Sequence, residues 1–345
     1  MLNAKVTGRR GRASAFAGAL AIVLGGAVGP ASAQEDFFAG ETVELIVPHG
    51  AGGGFDTYAR VSAPYIGAYL DANVVINNVT GAGGNIGRNQ LYRADPDGLT
   101  IGFSSFPSMI FSQLSGADGI QYDVNEWEIL GRVVAESEVI SVPAGSKYQT
   151  LEELRNAEDR VRIPLSGVGD DTFFKAMIVA RGLGIDVVPV TGYDGASEAF
   201  AAGMRGDGEI LSSSIGSSMQ LIEAGEIKPI LQIALVPSTA LEGVPLASDV
   251  IEDEMMSSFV KSIAGIAALD RSFFAPPGVP EERLEVLRAA IASTMENPDF
   301  LAEMEQLGRA IDFMPADEAT QVLEEAMANA DALVPLLEEA LAAAQ

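Results

Sequence analysis

Two glycine-rich turns, each set between an apolar run and a helical one, limit most strongly how this chain can fold. The first runs Val43-Glu44-Leu45-Ile46-Val47-Pro48-His49-Gly50-Ala51-Gly52-Gly53-Gly54-Phe55-Asp56. The second runs Val74-Val75-Ile76-Asn77-Asn78-Val79-Thr80-Gly81-Ala82-Gly83-Gly84-Asn85-Ile86-Gly87. Glycine lets main-chain N–H groups come close to a ligand, and a following helix adds unpaired donors and a partial positive charge. Two such turns so near each other point to a site that holds an anion by backbone rather than by arginines.

The same grammar continues downstream. The turn Asp95-Pro96-Asp97-Gly98 introduces the apolar run Leu99-Thr100-Ile101-Gly102-Phe103-Ser104-Ser105. Three apolar runs separated by helical stretches predict a parallel sheet with helical crossovers. Residues 128–142 are extended for long enough to leave one sheet and enter another. A second strand–turn–helix series follows, with turns at residues 167–172, 191–195 and 212–217. In open α/β sheets, ligands sit at the carboxyl ends of strands, where these turns fall. The last third reads as helical, with Pro335 expected to break or kink residues 322–343.

The N-terminus reads as a secretory signal covering residues 1–33. Lys5, Arg9, Arg10 and Arg12 precede a small-residue apolar stretch, and Ala31-Ser32-Ala33 fits a cleavage site. Its removal takes four basic residues and no acidic ones, leaving 17 basic against 48 acidic residues and a net charge of −31. Such a charge argues against nucleic acid, whose phosphates need a basic face. There is no cysteine, which excludes disulfides, thiolate metal sites, a cysteine nucleophile and a lipidated N-terminal cysteine. The expected location is the periplasm.

Enzyme signatures are weak. His49 is the only histidine, so no second one can serve as base beside the esterase-like His49-Gly50-Ala51-Gly52-Gly53. Gly195-Ala196-Ser197-Glu198-Ala199 lacks the final glycine of a nucleophile elbow. Neither glycine turn completes a dinucleotide fingerprint, and there is no phosphate-loop motif. No cofactor and no metal are expected.

At these turns the chain resembles the periplasmic solute-binding components of tripartite tricarboxylate transporters, and the likeness runs through nearly all of the mature chain. Leu45-Ile46-Val47-Pro48 with Gly52-Gly53-Gly54-Phe55-Asp56 and Ala59-Arg60 looks like that family's first binding loop. Asn78 and residues 81–87 look like its second signature, followed by its usual Asp95-Pro96-Asp97-Gly98 turn. Weaker likenesses lie at Tyr122-Asp123, Trp127-Glu128, Ser166-Gly167, Ala202-Gly203 and residues 274–280. The resemblance implies a two-lobed, type II-like periplasmic-binding-protein fold, with two Rossmann-like domains joined by crossover strands. It implies lobe 1 at residues 34–137 plus 258–345 and lobe 2 at 138–257, with hinges near 130–140 and 255–270. It implies a monomer that captures a small organic carboxylate and meets the large and small membrane subunits of a transporter. A subunit used for sensing is the alternative, and an enzyme on the same scaffold a remote one.

The expected ligand-binding set begins with His49, Gly50, Ala51, Gly53, Gly54, Phe55 and Asp56 from the first turn. Asn78, Gly81, Gly83 and Gly84 come from the second, and Ser104 and Ser105 follow the third strand. Ser166, Gly169, Asp170, Asp171, Thr172, Tyr193, Ser213, Ser214 and Ser217 complete it. Asp56 is expected to cap the helix beginning near Thr57, and Arg88 to face outward. Asp170 and Asp171 stand where the family is usually serine-rich. They read as solvated or capping turn residues, or, alternatively, as partners for an ammonium group on the ligand. Phe55, Phe106 and Tyr193 could wall the cleft.

Overall fold

The computed structural model describes residues 37–328 and 330–343, so the expected signal segment lies outside the described residues. Among the described residues, ten strands and thirteen α-helices are built mostly from the strand–turn–helix units read above. In the first lobe, β1 (Thr42–Val47), β2 (Asn73–Asn78) and β3 (Thr100–Ser104) alternate with α1 (Gly54–Leu70), α2 (Asn85–Tyr92) and α3 (Phe106–Leu114). β1 lies between β2 and β3 and runs parallel to both.

The chain then passes through β4 (Glu128–Arg132) and crosses at residues 133–137 into β5 (Glu138–Pro143) of the second lobe. There it builds α4 (Leu151–Arg155), β6 (Val161–Leu165), α5 (Asp171–Leu183), β7 (Val187–Thr191), α6 (Ala196–Met204), β8 (Leu211–Ser214), α7 (Ile215–Glu223) and β9 (Ile227–Ile233). After α8 (Ala247–Val250) and α9 (Glu254–Ile266), the chain returns through residues 267–271 to β10 (Ser272–Ala275). Helices α10 (Glu281–Glu296), α11 (Pro298–Gln306), α12 (Ala316–Ala328) and α13 (Val334–Ala342) follow. Pro335 lies in the first turn of α13, where its missing N–H costs nothing, so the long helical stretch breaks before it.

The two lobes repeat one plan. The first sheet has the order β2-β1-β3-β10-β4, with β10 antiparallel to both neighbours. In the second, β6 pairs with β7 in parallel, and β5 lies antiparallel between β8 and β9. The N–H groups of Glu209 and Ile210 both reach Arg162 O, setting the approach to β8 beside β6. The two-stranded ladder β7-β6 and the three-stranded ladder β8-β5-β9 therefore lie side by side in an order that matches the first sheet. In each lobe the strand that runs against its neighbours is the one that arrives from the other lobe.

Apolar packing is not confined to either lobe. One core fills the first lobe around Val43, Leu45, Ile101, Phe103, Phe273, Leu287 and Ile291, with the Phe103 and Phe273 rings 4.5 Å apart. A second and larger core extends from α3 in the first lobe through α5 to α9, where Phe111 meets Phe174 edge-on at 5.9 Å. α9 packs on α5, and the expected boundary at 257/258 falls inside that helix. α13 packs on both α5 and α3, and Arg181 pairs with Glu339, so the last helix spans the two lobes.

Candidate functional site

A cavity of about 410 Å³ lies between the lobes, at the carboxyl ends of β1, β8 and their partners. The first glycine turn forms one wall. Gly52, at a φ of +78°, donates to Asp56 Oδ2 at 2.8 Å, and Asn78 Nδ2 donates to Asp56 Oδ1 at 3.0 Å. Burial pushes the Asp56 carboxyl up, but Arg60, the Gly52 N–H and Asn78 hold it below the ordinary carboxylate range. Asp56 therefore ties the loop down from inside the first turn. It is not the residue preceding the helix, which is Gly53, and Gly53 supplies no side-chain cap.

His49 stacks on Phe55 with ring centroids 3.9 Å apart, and its Nε2 lies 3.3 Å from Ser104 Oγ. Burial, with Arg88 and Arg271 nearby, pushes the imidazole well below its usual pKa, so it is neutral. Beyond Phe55, the Arg271 guanidinium lies 4.3 Å from that ring and 4.8 Å from the Tyr58 ring. Arg271 Nη2 donates to Glu136 Oε2 at 2.9 Å, Ser214 Oγ at 2.8 Å and Ser217 Oγ at 3.2 Å. The first lobe thus reaches across to the start of α7.

The opposite wall is charged. Asp171 is buried and pairs with Lys175, while Ser105 Oγ (2.9 Å) and Ser108 Oγ (2.6 Å) donate to its Oδ1. Burial pushes Asp171 up, but Lys175 and these serines hold it far below the usual carboxylate range. Lys175 also meets Glu138 at 3.2 Å, and Ser212 Oγ donates to Glu138 Oε1 at 3.0 Å. Burial still dominates there and raises the Glu138 carboxyl to about 7. Asp170 caps α5, accepting from Thr172 N at 3.1 Å and from Ser166 Oγ at 2.5 Å. Asp270 is pushed up to about 7 by burial and by Asp171.

Three helices begin at this cavity without a side-chain cap: α1 after Gly53, α6 after Gly195 and α7 after Ser214. Their first-turn N–H groups lack intrahelical acceptors, and their dipoles place partial positive charge at the cavity.

Of the expected set, His49, Gly50, Ala51, Gly53, Gly54 and Phe55 line the cavity. Asp170, Asp171, Thr172, Ser213, Ser214 and Ser217 line it as well. Asp56, Asn78, Gly81, Gly83, Gly84, Ser104, Ser105, Ser166, Gly169 and Tyr193 do not. Several of these stand just behind the lining: Asp56 and Asn78 hold the loop, Ser104 holds His49, and Ser105 holds Asp171. Phe106 is fully buried against Phe274 rather than walling the cleft. Arg88 is fully buried instead of outward-facing, donating to Gly83 O at 3.0 Å and, across the lobes, to Gly169 O at 2.8 Å.

Glu136, Glu138, Lys175, Asp270 and the segment 194–198 line the cavity without having been singled out for it. Lys175 had a local signal, standing four residues after Asp171 on one helix face. The others gave only a general one, acidic residues set beside otherwise buried strands. Asp194 O accepts from Gly50 N at 2.8 Å, so the mouth of the cavity is bridged by backbone. Among the described residues, no helix is long and apolar enough to cross a membrane.

The family model for the tripartite tricarboxylate transporter family receptor matches residues 58–338. A UPF0065 protein from the tcbD-tcbE intergenic region of Pseudomonas sp. (strain P51) is 25% identical over 278 residues, covering 79% of each chain. The periplasmic binding protein BugD has a similar structure, with a TM-score of 0.71 at 22% identity, over 87% of this chain and 97% of its own. MatC from Rhodopseudomonas palustris with bound malate gives 0.70 at 20% identity, over 87% and 98%.

Proposed function

Since this chain belongs to the tripartite tricarboxylate transporter receptor family, we propose that it captures a small organic carboxylate between its lobes and delivers it to the large and small membrane subunits of such a transporter. It does so as a monomeric receptor in the periplasm, not as an enzyme.

The observation that carries this reading is the meeting of three uncapped helix N-termini at one cavity. A carboxylate there replaces water on first-turn N–H groups, other than Ile215 N, which already donates to Ser137 O, and it lies at the favourable end of each dipole. Ser213, Ser214, Ser217 and Ser197 add hydroxyls that donate or accept, directly or through water. The malate held by MatC supports a small acid as the ligand class.

Donors from both lobes meet only in the closed arrangement, so a ligand that bridges them favours closure by its differential affinity. Residues 133–137 and 267–271 are the two chain crossings about which such a hinge turns.

A thermal-shift screen of the mature protein, refolded to remove any carried-over ligand, tests the proposal. A concentration-dependent rise in melting temperature with one or more organic acids is expected. No shift with any acid would overturn the carboxylate reading.

A further inference from the structure

The acidic side chains of the cavity are unequally provided for. Asp171 has Lys175 and two serines, Glu138 shares Lys175 and has Ser212, and Glu136 has Arg271. Asp170 caps a helix. Asp270 has nothing comparable: it is 5% exposed, it lines the cavity, and its Oδ1 is buried with no hydrogen-bond partner. The adjoining Arg271 does not hydrogen-bond it: Nη2 is committed to Glu136, Ser214 and Ser217, Nε and Nη1 have no hydrogen-bond partner of their own, and the guanidinium lies over the Phe55 and Tyr58 rings.

Burying a carboxylate without a partner costs free energy that either a proton or an incoming cation relieves. A metal ion is a poor match, since among the described residues no three acidic or histidine side chains converge as metal ligands. An ammonium group needs only one carboxylate and a few acceptors, and this cavity offers them beside donors for a carboxylate.

We propose that Asp270 receives an ammonium group of the ligand while the helix N-termini hold its carboxylate, so that the solute is an amino-bearing carboxylate rather than a plain di- or tricarboxylate. This rests on the carboxylate reading above and narrows it. It also moves the ammonium partner away from Asp171, which Lys175 already neutralises. A plain diacid would add negative charge to a cavity where acidic side chains outnumber basic ones. An amino acid adds a donor cation beside a carboxylate whose Oδ1 has no hydrogen-bond partner.

Calorimetric titration of the refolded protein with matched pairs tests the assignment: succinate against aspartate, glutarate against glutamate, and 1,4-diaminobutane as a cation with no carboxylate. At least one amino acid should bind about tenfold or more tightly than its plain partner, a charge-assisted hydrogen bond being of that order. Asp270→Asn should erase the ratio by weakening the amino acid and leaving the plain acid unchanged or tighter. A purely structural role for Asp270 would weaken both alike, which would overturn the assignment. Plain acids binding as well as their amino partners in the unaltered protein would also overturn it, whatever the variant does, and would leave the carboxylate reading standing. Binding of diaminobutane alone would do the reverse, keeping the cation site and overturning the carboxylate reading. Failure of every probe would overturn both.

Discussion

The two glycine turns look alike in sequence and do different work. In the first, glycine makes room for a ligand: Gly50, Gly53 and Gly54 face the cavity, and α1 opens there without a cap. In the second, glycine makes room for the other lobe. A Cβ on Gly83 would sit 2.5 Å from Gly169 N, and one on Gly169 would sit 2.2 Å from Ala82 O. Arg88 then stitches Gly83 O to Gly169 O. Glycine in a strand–helix turn therefore announces close approach, but only the partner reveals whether that approach is catch or clasp.

The sharpest way to break this contrast is Gly83→Ala. Its φ of +62° already disfavours a side chain, and the collision is with backbone that cannot move aside. Closure should fail, and ligand affinity should drop about a hundredfold, some 2.7 kcal/mol. Small-angle scattering should show the ligand-bound protein no longer contracting. Unchanged affinity and contraction would remove the second turn from the clasp.

Arg88→Met comes next. It removes charge-assisted bonds to both lobes from a fully buried position, and a loss of about 1.5–3 kcal/mol in unfolding free energy is expected from denaturant titration. Gly54→Ala should act on the ligand instead. The new methyl would meet Ser217 Oγ at 2.3 Å, a side chain able to turn away. Affinity should fall about tenfold with little change in melting temperature, and adding Ser217→Ala should restore part of it, a coupling that a double-mutant cycle measures. Should Gly54→Ala instead block contraction, the two turns would be doing the same job.

The smallest effect belongs to a control that touches neither turn. Glu138 and Asp270 are both raised to about 7, so the folded protein holds protons that the unfolded chain has already lost. Their stabilisation is complete below the unfolded carboxylate range and is lost as pH rises through 7. The lowered Asp171 and Glu136 lose theirs only in acid, so they do not cancel it. The ligand-free protein should melt roughly 2–4 °C lower at about pH 8 than at about pH 5.5. Asp270→Asn should reduce that slope.

Much of the architecture was legible because βα units are written locally. The runs ending at Val47, Asn78 and Ser104 became parallel strands, and the extended residues 128–142 do pass from one sheet to the other. The first turn's place at the cavity followed from glycine and the start of α1. What local pattern could not supply was juxtaposition. Asp270 is more than a hundred residues from Glu138 and lines the same cavity only because the chain returns to the first lobe. Arg88 lies on a polar-looking helix and is buried only because Gly169 closes over it from the other lobe. Lys175 was the exception, a readable i, i+4 partner for Asp171.

The antiparallel strand in each sheet also sets an order of assembly. β3, already paired with β1, finds its second neighbour only when Ser272 comes to lie opposite Ser104, after the whole second lobe has been made. Until then the first sheet has an unpaired edge beside exposed Phe103, the kind of surface that sticks to other chains. β5 has no such wait of comparable length, since β8 and β9 follow it within about a hundred residues. The second lobe's strands thus pair among themselves first, and the sheet that begins the chain is the one that finishes last. High contact order of this sort makes folding slow, so a newly made chain should stay open to holding factors for longest at its first sheet, not at its most acidic cleft.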